Sequence, residues 1–281
     1  MLFRSNETTL VPESGFFRFR VDLSYDGTNF SGWGKQPDRR TVQGEVEAAL
    51  SQIFDRPIDT TVAGRTDAGV HATGQVIHFD APMKLDEMIY RLNRILTDEI
   101  RIINFNEAPY GFHARFSALR RNYIYKILDG NQTLHPVLRT DVAPYYRKLN
   151  INLMNEAAET LLGENDFFSF CRFREKATTV RKLEKFDFHR NEDGVIVGEV
   201  NADAFCYSMV RGLVGAVVHV GEERFPVSWV REVLEKRERQ SESLVFPAKG
   251  LTLVGVDYPE DAKLLERANL TMSRRSSTEE D

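Results

Sequence analysis

Asp67 and Arg65 are the residues of this chain best placed to do chemistry. They lie in Ala63-Gly64-Arg65-Thr66-Asp67-Ala68-Gly69-Val70-His71-Ala72-Thr73-Gly74, where glycines at 64, 69 and 74 surround one arginine and one aspartate. Glycine permits positive φ and close approach of another backbone, so a loop of this composition can hold one carboxylate in a fixed, exposed pose. A carboxylate can serve as nucleophile or base, and a nearby arginine keeps it ionised at neutral pH by lowering its pKa. The same residues also fit a charged surface turn with an Arg65 to Asp67 contact, and the loop alone does not choose between the two.

Other chemistries have weaker support. His71 and His78 flank the loop, but their spacing matches no common ligand pair, and Cys171 and Cys206 lie far apart in sequence. Ser117, Ser169 and Ser208 lack the flanking glycines of a nucleophile elbow, neither cysteine sits beside a base, and no phosphate-cradling P-loop is present. Two cysteines supply neither a disulfide framework nor a four-cysteine zinc site, which makes a reducing cytoplasm the expected home.

The elements that must position Asp67 read as a mixed order. Phe16 to Tyr25 alternates Arg18, Arg20 and Asp22 with Phe17, Phe19, Val21 and Leu23, the period of a half-buried strand, and stops at Asp26-Gly27. Thr28 to Arg40 carries Phe30, Trp33, Lys35, Arg39 and Arg40, an aromatic and basic loop able to stack on bases and meet phosphates, or equally a buried Trp33 under a solvated rim. Thr41 caps a helix with apolar Val42, Val46, Ala49, Leu50 and Ile53. Strands at 57–62 and 74–80 enter and leave the loop; a second amphipathic helix runs from Leu85 to Leu96, and a strand covers 100–105.

The second half repeats that order without a clean sequence repeat. Phe112-His113-Ala114-Arg115-Phe116-Ser117-Ala118 connects the halves, and Arg120 to Leu128 is an aromatic strand in which Arg121 precedes Tyr123. Gly130 to Tyr146 reads as a loop, and Leu153 to Gly163 as a helix with a glycine stop. Phe167, Phe168, Phe170, Arg172, Phe173, Arg174 and Lys176 form a second aromatic and basic segment. Strands at 181–188 and 195–200 make a hairpin across Asn191-Glu192-Asp193-Gly194, helices follow at 205–221 and 228–238, and a strand runs from Leu251 to Asp257.

Antiparallel pairing is the simplest solution, because parallel winding demands a helix between every pair of strands. The expected fold class is therefore α+β: two similar lobes, each an antiparallel sheet with helices packed on one face, and an active-site cleft between them. The expected organisation is a flexible start at 1–15, an N-terminal lobe at 16–110 carrying the loop, a C-terminal lobe at 111–260 and a disordered polar tail at 261–281. A length of 281 residues with 42% hydrophobic and 28% charged residues suits a soluble protein of one large or two medium domains. No apolar run is long enough to span a membrane, and Arg4, Glu7 and Glu13 interrupt the start of the chain, which argues against membrane insertion and export. A net charge of -5 means that any surface for a polyanion must be local.

From Gly64 to Ala72 the chain resembles the TruA family of tRNA pseudouridine synthases. Further stretches match in the same order: Tyr25-Asp26-Gly27-Thr28-Asn29-Phe30 with Gly32-Trp33, Arg40-Thr41-Val42-Gln43-Gly44, Phe112 to Ala118, Met209-Val210-Arg211, and Gly250-Leu251 with Val256-Asp257-Tyr258-Pro259. The resemblance covers roughly residues 16 to 260 and implies a homodimer of two-lobed α+β subunits acting on tRNA, in the anticodon stem-loop, without cofactor or metal. It makes Asp67 the catalytic aspartate that attacks the target uridine, so that the base detaches, rotates and rejoins through carbon. Arg65 would fill the space left by the flipped uridine, Tyr123 would stack on the flipped base, Arg211 would pair with the catalytic carboxylate and Leu251 would form an apolar wall. Lys35, Arg39, Arg40, Arg115 and Arg121 are candidate RNA contacts. The chain departs from the family pattern at Gly34, where a glutamine is common, and at Tyr207-Ser208, where a histidine pair is common. One alternative is an idle RNA-binding or RNA-folding module on the same scaffold, which the intact loop argues against; another, within the enzyme class, is a synthase acting on another RNA.

Overall fold

A computed structural model describes residues 9–172, 178–238 and 245–279. Most of the expected flexible start, the residues Phe173, Arg174 and Lys176 of the second aromatic and basic segment, and the last two residues of the tail lie outside the described residues. Those described form ten strands and six α-helices, and the fold is α+β. By contacts they divide into two compact units. Unit 1 takes the chain up to Leu119 and resumes at Val254, and unit 2 comprises Arg120–Leu253.

Unit 1 begins with β1 (Phe17–Tyr25), α1 (Val42–Phe54), β2 (Thr61–Val62), β3 (His71–Ala81), α2 (Met88–Ile95) and β4 (Ile100–Glu107). It ends with α6 (Leu264–Glu279) and the later part of β10 (Leu251–Asp257). The strand order is β4-β1-β3-β10, with β2 on β3. Strand β1 is antiparallel to both β3 and β4, and its register sets Phe19 opposite Phe79 and Val21 opposite Ile77. Alternation along β1 thus delivers Phe19, Val21, Leu23 and Tyr25 to the buried face. Arg18 breaks the pattern: it is buried, and its guanidinium forks onto Asp80 at 2.8 and 2.9 Å and donates to the Phe112 carbonyl at 3.0 Å. A fork on a carboxylate is the geometry that lets an arginine leave water. The same side chain donates to the Leu10 carbonyl at 2.9 Å, which ties down part of the segment expected to be flexible.

Helix α1 starts at Thr41, whose hydroxyl accepts from the Gly44 amide at 3.2 Å, and buries Val42, Val46, Ala49, Leu50 and Phe54. Its face turns on Phe79, whose ring lies 5.7 Å from that of Phe54. The expected disordered tail is corrected: α6 occupies it, and Leu264 and Ala268 are buried, with Leu264 in a cluster with Ala63, Val76, Phe112 and Ala114. Burying such side chains is worth about 1.5–3 kcal/mol for a leucine, and local polarity of the tail gave no sign of it.

Unit 2 contains β5 (Arg120–Leu128), β6 (Ala143–Pro144), α3 (Ile151–Glu159), β7 (Gly163–Asp166), β8 (Val180–Arg190), β9 (Ile196–Ala202), α4 (Met209–Gly221), α5 (Ser228–Lys236) and the first residues of β10. Strands β5, β9, β8 and β7 are hydrogen-bonded in that order and antiparallel, while the short β6, inside the stretch read as loop, pairs parallel with β5. The expected hairpin is β8–β9. Helix α4 is apolar nearly all round, with Leu213, Val214, Ala216, Val217 and Val218 fully buried, and packs on α3. Cys171 and Cys206 are joined by a disulfide with Cα atoms 5.7 Å apart. The fold brings together two residues separated by 35 positions, a proximity that spacing in the sequence cannot reveal.

Candidate active site

The loop carrying Asp67 joins β2 to β3 in unit 1, and the backbone on both sides of Asp67 is fixed. The Trp33 amide donates to the Thr66 carbonyl at 3.0 Å, and the Val70 amide to the Asp67 carbonyl at 3.2 Å. Gln75, fully buried on β3, donates to the Gly64 carbonyl at 2.9 Å. Beyond the loop, the Gly27 amide donates to His71 Nδ1 at 3.0 Å. Asp67 itself is half-buried and Arg65 is exposed.

Two glycines of the Tyr25 to Trp33 stretch make this contact possible. Gly32 has φ +91, and a Cβ there would stand 2.9 Å from the Thr66 carbonyl oxygen, 3.1 Å from the Ala68 nitrogen and 3.2 Å from the Asp67 carbonyl carbon. A Cβ on Gly27 would overlap the Val70 carbonyl. The loop therefore rests directly on the backbone that follows β1, with no side chain interposed.

The basic candidates of unit 1 differ in how they are held. Lys35 is exposed at its tip, and its ammonium lies 3.4 Å from Glu47, a buried carboxylate on α1 that also accepts from the Thr60 amide at 2.9 Å. Arg39 is exposed. Arg40 bonds Glu45 at 2.6 Å and Glu99 at 2.5 Å and lies 4.3 Å over the Phe30 ring, so it braces the loop from 26 to 40. Arg115 is exposed on a turn organised by two buried histidines: His113 Nδ1 accepts from the amides of Arg115 at 3.2 Å and Phe116 at 3.1 Å, and His78 Nδ1 accepts from Ala114 at 3.1 Å. Burial, followed by the charges of Arg18 and His113, holds the His78 ring well below the usual histidine pKa, so it stays neutral and keeps its acceptor.

Unit 2 carries the remaining candidates. Tyr123 sits on β5 opposite Val200, is buried, and meets the Phe205 ring edge-on at 5.1 Å. Arg211 lies in the first turn of α4, where its Nε donates to the Phe246 carbonyl at 2.7 Å and its own carbonyl accepts from the Phe246 amide at 3.1 Å. Leu251 is buried at the start of β10, just after a 3-10 turn over Ala248–Gly250. Next to that turn, the Tyr125 hydroxyl donates to the Pro247 carbonyl. Arg121 is buried and donates to the Asp203 carbonyl at 2.8 Å. Tyr207, one of the departures from the family pattern, is exposed, with the Arg172 guanidinium 5.5 Å over its ring.

Gln75 and Tyr25 were not singled out from the sequence as supports of the loop; for Gln75 the available signal was a polar glutamine opening a run of β-formers directly after the glycine loop. Among the described residues no group of three or more His, Cys, Asp or Glu side chains is arranged to hold a metal ion. Among the same residues no helix is long and apolar enough to cross a membrane.

A family model described as tRNA pseudouridine synthase matches residues 23–117 and 157–259, more than half of the chain. The tRNA pseudouridine synthase A of Frankia casuarinae is 51% identical over 264 residues, covering 93% of this chain and 96% of that protein. The protein of the same name from Cutibacterium acnes is 48% identical, with 92% and 95% covered, and that from Mycobacterium leprae is 42% identical, with 92% and 96% covered. These matches run through the glycine loop, its supports and the helix of Arg211 alike, and the chain belongs to the tRNA pseudouridine synthase family.

Proposed function

We propose that this enzyme isomerises uridine to pseudouridine in the anticodon stem-loop of tRNA, as a homodimer, with Asp67 as the catalytic carboxylate. The observation that carries this reading is a half-buried aspartate on a loop whose neighbouring backbone is fixed at Gly64, Thr66 and Val70. In the reaction the bond from ribose to the base nitrogen breaks, the base turns, and a bond from ribose to a base carbon forms; that carbon then gives up its proton and the freed nitrogen takes one up. Substrate and product are isomers, so no external electron donor or group donor enters the balance. A carboxylate held in one place can meet the target nucleotide without paying to order itself first.

The uridine must leave its stack before Asp67 can reach it. Arg65, exposed beside Asp67, takes the vacated space; Tyr123 stacks on the base, Leu251 walls it, and Arg211 is the cation paired with the reacting carboxylate. Lys35, Arg39 and Arg115 meet RNA phosphates. Arg40 and Arg121, engaged with Glu45, Glu99 and the Asp203 carbonyl, contribute by shaping the surfaces around them.

Incubating the purified protein with unmodified tRNA and mapping pseudouridine tests the reading. The wild type yields product in the anticodon stem-loop, and Asp67→Asn loses roughly 10²–10⁴-fold in rate or more, the range expected when a group acting in the transition state is removed. A wild type without product, or undiminished product from Asp67→Asn, refutes it. Light scattering at twice the chain mass is the expected result for the homodimer.

A further inference from the structure

Resting on the reading of Asp67 as the catalytic carboxylate, we infer that the buried Tyr25 hydroxyl is a positioning group for catalysis, bolting the residue before Asp67 to the sheet through Thr66 and Gln75. The three side chains form one chain of hydrogen bonds. Tyr25 Oη lies 2.8 Å from Thr66 Oγ1, and Gln75 Nε2 donates to Tyr25 Oη at 3.2 Å. The second Nε2 hydrogen goes to the Gly64 carbonyl at 2.9 Å, and Gln75 Oε1 accepts from the Val76 amide at 3.2 Å. The amide orientation is thereby fixed, with both of its donors used. Since the tyrosine oxygen accepts from Gln75, its own hydrogen is available to Thr66 Oγ1.

All three side chains are buried, with Gln75 at 0%, Tyr25 at 4% and Thr66 at 8% exposure. In such surroundings a lost partner leaves a polar group unpaired, so the chain has one low-energy arrangement. Burial also pushes the Tyr25 hydroxyl up to about 12, which keeps its hydrogen in place across the physiological range. The Trp33 amide holds the Thr66 carbonyl from the other side, and the Trp33 and Tyr25 rings lie 5.9 Å apart. Thr66 is thus gripped at its carbonyl and its hydroxyl, one covalent step from Asp67. Neither Tyr25 nor Gln75 needs to touch RNA to act, because their effect passes through the loop backbone.

The test compares Tyr25→Phe, Thr66→Val, their combination and Thr66→Ser with wild type. Rates are measured at saturating tRNA, tRNA affinity separately, and amide hydrogen exchange across residues 64–70. Tyr25→Phe and Thr66→Val are each expected to lower the saturated rate about tenfold, since displacement of a reacting group by a fraction of an ångström carries penalties of that order. Affinity for tRNA stays within about twofold, exchange across 64–70 quickens, the double variant is no slower than either single one, and Thr66→Ser restores the rate. A purely structural role would lower stability and affinity together and give multiplying losses in the double variant. Tyr25→Phe with wild-type rate and wild-type exchange overturns the inference, as does a double variant showing the product of the single losses. The exchange measurement decides the bolt even if wild type makes no pseudouridine, in which case the reading of Asp67 fails separately.

Discussion

Replacing Gly32 by alanine strikes the Asp67 loop through its backbone, and two costs of this change can be worked out separately. The first is conformational: Gly32 has φ +91, and an L-residue in the left-handed region costs about 1–2 kcal/mol. The second is steric. The new Cβ would stand 2.9 Å from the Thr66 carbonyl oxygen, with Ala68 and Asp67 backbone atoms at 3.1 and 3.2 Å. Comfortable contact needs about 3.5 Å, and since all three neighbours are backbone, no side chain can swing away; the loop itself must retreat by roughly half an ångström. Overpacking of this kind adds about 1–3 kcal/mol, for a total of about 2–5 kcal/mol. The same retreat moves Asp67, and with about a hundredfold loss per ångström of misplacement, the pseudouridine-forming rate should fall about tenfold. Gly163→Ala is the matched control, because Gly163 has φ +95 and nothing within 4 Å of the new Cβ. It should cost only the conformational part and leave the rate unchanged. Urea unfolding gives the stabilities and single-turnover assays on unmodified tRNA give the rates. Equal destabilisation by the two variants, with Gly32→Ala still at the wild-type rate, would refute the claim that the loop rests on Gly32.

Two further predictions concern stability. His78 is held neutral in the fold with its pKa well below 6.5, so the unfolded chain takes up a proton that the folded chain refuses. The stabilisation is therefore complete above pH 6.5 and is lost as the pH falls from there towards the folded value, with a slope of at most about 1.4 kcal/mol per pH unit from this one group. Urea titrations between pH 5 and 8 on wild type and His78→Gln check it, and identical pH slopes for the two would count against it. The disulfide between Cys171 and Cys206 spans 35 positions, and closing a loop of that length in the unfolded chain is worth up to about 4 kcal/mol. Thermal melts with and without reductant should separate, while Cys171→Ser should be insensitive to reductant; coincident wild-type melts contradict this.

What could be read from the sequence was what depends on near neighbours. The alternation of β1, the Thr41 cap of α1 and the β8–β9 hairpin are local patterns, and each recurs in the structure within a residue or two. Asp67 stood out in the sequence because glycines cluster around it. What the pattern missed depends on partners distant in the chain. Arg18 was read as a solvent-facing residue of β1 because its partner Asp80 lies 62 residues away. Tyr25 and Gln75, separated by 50 residues, gave no hint that one hydroxyl joins them to Thr66. The polar composition of the tail outweighed the widely spaced Leu264 and Ala268, and only the cluster around Phe112 and Val76 explains why that segment is helical and packed. Gly163 did not end its helix directly: α3 stops at Glu159, and β7 starts at that glycine.

Because unit 1 regains the chain only at Val254, its completion is tied to the timetable of synthesis. A ribosome finishes the strands that flank the Asp67 loop early, yet the partner that β3 needs on its other side and the Leu264 that fills the Phe112 cluster come last. At about 5–20 residues per second, the intervening unit occupies on the order of ten seconds, during which the β10 neighbour of β3 has not yet been made. The later-made unit can thus be complete before the earlier one, reversing the usual order of folding along a nascent chain. The Asp67 loop is rooted in the unit whose closing strand and helix are made after the intervening unit, so a chain released early carries every residue around Asp67 and still lacks the closing strand and helix of the unit that holds it.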